Sequence, residues 1–140
     1  MGDTTAIAWT TAALHPADLT ESQLAQLWAY LDVLMLTAEN TWYAHNDGLV
    51  SEQSWNTAKN DIASADLGFR AGRIWWEQMK FAYDPDFVKQ VDAELAGRDP
   101  DELKRVTQET LDKIRSVDRN EAAQPLSTTP SAASPSVPHT

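Results

Sequence analysis

The 140-residue chain contains no cysteine. A disulfide scaffold, a cysteine nucleophile and a thiolate metal site are therefore all excluded. The absence fits a reducing compartment, and it favours a cytoplasmic location.

Basic residues are missing from the first part of the chain, where no Lys or Arg occurs before Lys59. The whole sequence has 11 basic and 21 acidic residues, which gives a formal net charge of −10. Acidic surfaces repel phosphate, so the composition predicts no nucleic-acid partner and disfavours anionic lipid. The N-terminus also lacks the basic region that is typical of a signal peptide.

Long hydrophobic runs and chemical motifs are also absent. The most apolar stretch, residues 27–38, is too short to cross a bilayer and contains Asp32, so no membrane span is predicted. No glycine-rich phosphate loop or zinc-protease motif occurs, and His15, His45 and His139 do not form a ligand set. The sequence therefore predicts no metal, no cofactor and no catalytic residue.

Helix signals dominate what is present. Thr20 and Gln23 form a capping box, and apolar residues follow at helical spacing until a stop at residues 46–48. Further helices are predicted to start at Ser51, near Phe69, and after the Asp-Pro pairs at 84–85 and 99–100. We expect an all-α fold, a compact bundle of four to five short helices spanning residues 18–119.

The two ends of the chain lack these signals. Residues 1–17 contain no helix start and are expected to be poorly ordered. Residues 120–140 are rich in Pro, Ser, Thr and Ala, with little apolar mass to offset the entropy of ordering. We predict a disordered C-terminal tail there.

The first predicted helix has few charges and two apolar sides. Asp32 and Glu39 are its only acidic or basic residues between positions 24 and 44, and we expect Glu39 to pair with Arg70 or Arg73. Trp42 lies on the side expected to face the core. The opposite side is a candidate dimer face, formed by Ala29, Val33 and Leu36.

Aromatic and polar residues near the end of this helix, together with a tryptophan pair, form a candidate pocket or interface. Neighbouring helical residues point about 100° apart, so Trp75 and Trp76 are either two core anchors or one core anchor and one groove residue. His45 is expected to interact with the helix C-terminus. The full candidate set is Glu39, Asn40, Trp42, Tyr43, His45, Trp75 and Trp76.

Two segments of the chain also carry a family resemblance. The first is Glu39-Asn40-Thr41-Trp42-Tyr43, followed by His45, Gly48-Leu49-Val50 and Trp55; the second is Ile74-Trp75-Trp76-Glu77, followed by Asp84-Pro85-Asp86-Phe87-Val88. Over about residues 24–95 they resemble a group of small uncharacterised bacterial helical proteins. The resemblance implies a bacterial, all-helical protein and no known activity. Similar proteins often have an N-terminal membrane helix, which is not present in this sequence.

Three functions remain open on this basis. The preferred one is a non-enzymatic protein-interaction or self-association module, with a homodimer or an unknown protein as partner. The first alternative is a small-molecule-binding domain with an aromatic pocket. The second is a hydrolase-like enzyme that uses Glu39 and His45.

Overall fold

The computed structural model describes residues 2–124 and Ser136, and within that part every regular element is helical. The α-helices are α1 (Asp3–Leu14), α2 (Glu21–Asn46), α3 (Glu52–Asp61), α4 (Arg70–Met79), α5 (Pro85–Ala96) and α6 (Glu102–Ala123). Short 3₁₀ turns cover Pro16–Asp18 and Lys80–Ala82, and a π-helical turn covers Ile62–Asp66. The all-α fold class is confirmed, with one α-helix more than the four to five expected in the sequence.

The chain divides into two compact units, Met1–Gln108 and Glu109–Thr140, and the boundary falls within α6. The first unit contains the hydrophobic core. The described part of the second unit consists of the remainder of α6, Gln124 and Ser136. Residues 120–123 are helical, which corrects the predicted tail boundary at 120. The rest of the predicted disordered tail, residues 125–135 and 137–140, lies outside the described residues.

The first unit begins with a helix that the sequence did not predict. Helix α1 lies within residues 1–17, where we expected a poorly ordered segment, and it packs against α2 and α4. Its contact side is made of small residues, since Ala8, Ala12 and Ala13 are buried. Alanine has the highest helix propensity, but a side made of alanine leaves no strong apolar stripe to read. The ring of Trp9 anchors the helix against Tyr30, with 5.6 Å between ring centroids.

Helix α2 starts and stops where the sequence predicted. The capping box is complete, because Thr20 Oγ1 accepts from Gln23 N and Gln23 Oε1 accepts from Thr20 N. The helix ends at Asn46, and Gly48 takes the left-handed conformation with φ of 77°. Its inward side buries Leu27, Leu31, Met35, Ala38 and Trp42.

The next predicted helix, from Ser51 to about Leu67, changes its geometry before its end. Regular α-helix α3 stops at Asp61, and in the π-helical turn that follows the amide of Leu67 donates to the carbonyl of Ile62 at 2.8 Å. Gly68 then passes so close to the backbone that a Cβ there would collide with the carbonyl oxygen of Ser64. Its own carbonyl accepts from Leu103 N at 2.9 Å, which ties the start of α6 to this turn.

Helices α4 and α5 complete an aromatic core. Asp84 caps α5 by accepting from Asp86 N at 2.8 Å, and Pro85 occupies the first helical position, as predicted. Phe87 of α5 is fully buried and lies at the centre of the aromatic contacts. Its ring centroid is 6.0–6.4 Å from those of Trp42, Trp55, Trp76 and Tyr83.

Candidate functional site

The two carboxylates of α2 hold the corner between α4 and α5. Asp32 Oδ1 accepts from the hydroxyl of Tyr83 at 2.7 Å, and Glu39 Oε2 accepts from the backbone N–H of Asp84 at 2.7 Å. Tyr83 is buried, and both this burial and the acceptor Asp32 raise the pKa of the phenol above its usual value. These contacts fix the segment that leads into α5, so Asp32 and Glu39 carry a structural role here.

The predicted ion pair of Glu39 with Arg70 or Arg73 is wrong. Arg70 Nη2 instead pairs with Asp101 at 2.8 Å. Arg73 Nε donates to the carbonyl of Leu67 at 2.7 Å, so that guanidinium satisfies a helix end. Both cations therefore have other partners, and the N-cap residue of α5, Asp84, supplies the backbone N–H that Glu39 accepts. The sequence signal for that donor is the Asp-Pro pair at 84–85, which by itself predicts only a helix start.

Tyr43 joins the same corner from its edge. Its hydroxyl donates to Asp84 Oδ2 at 3.1 Å, while 42% of the residue stays exposed. Desolvation, the hydrogen bond to Asp84 and the nearby charges of Asp84 and Glu39 all raise the pKa of Tyr43. The phenol is protonated at neutral pH with or without this shift, so Tyr43 acts as a hydrogen-bond donor here.

His45 connects α2 to α3 and does not contact Glu39 through any hydrogen bond in the described part of the chain. Its Nδ1 lies 3.2 Å from the carbonyl oxygen of Val50, and its Nε2 lies 3.1 Å from Glu52 Oε2. The ring also stacks on Trp55 at 6.1 Å. His45 thus braces the loop after α2, and the ring contacts the next element more than its own helix end.

The tryptophans of the candidate pocket lie in the core. Trp75 and Trp76 are 1% and 0% exposed, which supports the interpretation as two core anchors and leaves no ring surface to line an open pocket. Trp76 Nε1 donates to Asp92 Oδ1 at 2.8 Å, so its polar group is satisfied internally. Trp42 is 9% exposed, and its ring faces Phe87.

A cleft does open beside this core, with a different lining. It has a volume of about 250 Å³ and is lined by Arg73, Glu77, Asp92, Leu95 and Ala96. It is smaller than the roughly 300 Å³ of typical small-molecule sites, and no aromatic side chain lines it.

The outward side of α2 is the remaining candidate surface. Ala29, Val33 and Leu36 are exposed there, Val33 to 59% and Leu36 to 45%, and Asn40 is exposed beside them. These residues, with Ala25, Thr37 and Tyr43, form what we call the open face of α2. The open face carries no charged side chain, because Asp32 and Glu39 are turned toward the corner at residues 83–84.

Other kinds of site receive no support within residues 2–124. No group of three potential metal ligands comes together in that range. None of the helices described there is long and apolar enough to cross a membrane.

Comparison with protein families, with curated proteins and with solved structures finds no match for this chain. The resemblance to small bacterial helical proteins therefore stays a prediction.

Proposed function

We propose that this protein self-associates through the open face of α2 and acts as a non-enzymatic interaction module. The observation that carries the proposal is the combination of exposed Val33 and Leu36 with the absence of charge along the whole open face. A solvated helix normally carries charged residues on its outer side. In a chain with 23% charged residues, a charge-free outer side is unusual.

A second copy of the chain is the partner that fits this face best. Each copy carries a formal charge of −10, and most other surfaces would repel a second copy. The open face avoids that repulsion, since no carboxylate lies on it. A two-fold axis would place Leu36 and Val33 of one copy against the same residues of the other, which closes the assembly at a dimer.

The two alternatives have no observation in their favour. The aromatic side chains of the proposed pocket are buried or engaged at the corner, as described above. Glu39 and His45, the pair invoked for hydrolysis, are each bound to different structural partners. A cytoplasmic location and the lack of a nucleic-acid partner remain part of our proposal, and they rest on composition alone.

Sedimentation analysis at micromolar concentration tests the proposal. At that concentration we expect the wild type to dimerise and Leu36→Glu to be monomeric, because a carboxylate on each copy would meet its equivalent across the two-fold axis. Leu49→Glu is the matched control, since Leu49 is 81% exposed in the loop after α2 and lies outside the open face. Circular dichroism should show the same helix content in all three proteins.

A monomeric wild type would overturn the proposal. A Leu36→Glu protein that dimerises as tightly as the wild type would also overturn it, because the association would then use another surface.

A further inference from the structure

Helix α6 presents a second apolar stripe, separate from the open face of α2. The helix has 22 residues and none of them is buried. Val106, Ile114 and Val117 are 45%, 54% and 54% exposed, and they recur at helical spacing with Thr110 between them. Leu111, 38% exposed, borders the stripe. We call these five residues the α6 stripe.

The charges of α6 differ from those of the rest of the chain. The helix contains five acidic and five basic residues, so the whole net charge of −10 lies outside it. Two copies of α6 can therefore approach without net repulsion between the helices.

We propose that α6 pairs with α6 of a second copy in an antiparallel arrangement centred on residues 110–111. In this register Val106 lies opposite Ile114 of the second copy, and Thr110 and Leu111 each meet their own equivalents. The two helices then bury the α6 stripe as a short, two-fold symmetric seam.

The charges beside the stripe support this register. When two copies of a helix pack antiparallel about a two-fold axis, each edge of one copy lies against the equivalent edge of the other. On one edge Glu109 lies opposite Lys113 of the second copy, and the two-fold axis repeats the pair. On the other edge Lys104 lies opposite Asp118 of the second copy. Both edges are thus complementary, which is how flanking charges select partner and orientation in coiled coils.

A parallel pair in register satisfies the charges less well. In a parallel pair, one edge of each helix would lie against the opposite edge of the second copy. Of the four charged residues named above, only Lys113 and Asp118 would then form complementary contacts between copies. The two helix dipoles also attract each other in the antiparallel arrangement, whereas they repel each other in the parallel one.

The test uses the Leu36→Glu background, so that the open face of α2 does not contribute to association. Four proteins are compared by sedimentation over a wide concentration range: Leu36→Glu alone, and the same protein carrying Glu109→Lys, Lys113→Glu or Asp112→Lys. We expect Leu36→Glu to be monomeric at micromolar concentration and to form a weak dimer only at the highest concentrations of this range. Glu109→Lys and Lys113→Glu should each weaken it about tenfold, because two flanking pairs become repulsive. Asp112 lies on the opposite side of α6, so Asp112→Lys should leave the affinity unchanged.

A mixing experiment separates contacts between copies from contacts within one helix. An equimolar mixture of the Glu109→Lys and Lys113→Glu proteins should form a heterodimer with nearly the affinity of the parent. In that heterodimer the lysine introduced into one copy meets the glutamate introduced into the other, so attraction replaces repulsion. A mixture of Asp112→Lys with Lys113→Glu is the control, since it has the same total charge but its heterodimer keeps one attractive and one repulsive flanking pair. It should recover only part of the affinity, and its dimers should be mainly Asp112→Lys homodimers.

Two results would overturn the inference. Leu36→Glu could remain monomeric at every concentration, which rejects α6 pairing whether or not the wild type dimerises through α2. Alternatively, the dimer could persist with no recovery in the complementary mixture, which rejects the antiparallel register. The wild-type measurement keeps the two proposals apart, because a wild-type dimer with a monomeric Leu36→Glu supports the α2 face alone.

Discussion

Helices α2 and α6 are the two longest helices that the structure describes, and different interactions stabilise them. Helix α2 has 26 residues, three acidic residues, no Lys or Arg, and a buried side of five residues. Helix α6 has 22 residues, ten charged residues and no buried one. The first depends on burying apolar surface in the core. Beyond its start, where Leu103 packs against the core, the second depends on local terms such as helix propensity and i,i+4 charge pairs.

The same contrast separates the two surfaces that we propose for association. The open face of α2 is uncharged, so it tolerates a second acidic copy but does little to specify register. The α6 stripe is narrow, but its charged edges select one direction and one alignment. Exposed apolar residues acquire specificity mainly from the charges beside them.

The strongest test of this comparison removes a side chain from the packed side of α2. Trp42→Ala should lower the free energy of unfolding by about 3–5 kcal/mol, because the indole fills space against Phe87 and the cavity would not close fully. Leu36→Ala is the control on the open face, and it should cost less than about 0.5 kcal/mol. Both are measured by urea denaturation at a concentration where the protein is monomeric. A loss under about 1 kcal/mol for Trp42→Ala would contradict the described orientation of α2.

The sequence predicted those helices that have both a cap and an apolar stripe. The start of α2 was readable from Thr20 and Gln23, and the start of α5 from the Asp-Pro pair at 84–85. Helix α1 was missed because its buried side consists of alanine, which periodicity does not distinguish from loop composition. The π-helical turn was missed as well, since it depends on a backbone contact at Gly68 that exists only in the folded chain.

The sequence predicts which residues belong to the candidate site better than it predicts their contacts. The exposed side of α2 follows from helical geometry and the position of its core side, so Val33 and Leu36 could be placed from sequence. The partner of Glu39 could not, because a nearby cation in sequence is only one of several possible donors. A backbone N–H at a helix start competes with Arg for a carboxylate, and sequence does not show which one lies closer.

The second prediction concerns the close backbone approach between Gly68 and Ser64 in the first unit. Gly68→Ala should lower the free energy of unfolding by about 1–3 kcal/mol, because the new methyl group would force the turn away from Ser64. Gly97→Ala is the matched control, since a Cβ there meets nothing within 4 Å. It should be neutral or slightly stabilising. Equal effects of the two substitutions would show that the turn adapts without cost.

The third prediction compares a charge in the packed unit with a charge on α6. Burial and the charge of Asp61 raise the pKa of Asp66 from 3.8 to about 6. The folded state therefore holds this proton more tightly than the unfolded chain, and stability falls as pH rises from about 4 to 6. Asp66→Asn should remove that loss, with a gain of about 1–2 kcal/mol at pH 7, reduced because the carboxylate is partly solvated, and little gain near pH 3.

The control for Asp66→Asn is Asp112→Asn on the exposed surface of α6. Its effect on the free energy of unfolding should be small and the same at both pH values. Denaturant titrations at pH 3 and pH 7 measure the difference. If Asp66→Asn gave no more stability at pH 7 than at pH 3, the carboxylate would be well solvated in the folded protein.

The smallest effect on stability is expected for a substitution on α6. Leu111→Ala should change the free energy of unfolding of the monomer by less than about 0.5 kcal/mol, because the side chain packs on no buried core. Leu31→Ala removes the same atoms from a fully buried site on α2 and should cost about 2–5 kcal/mol. Leu111→Ala should nevertheless weaken dimerisation of the Leu36→Glu protein, since Leu111 meets its own equivalent in the antiparallel seam. A large loss of monomer stability at Leu111 would place this residue in a packed environment and would break the contrast between the two helices.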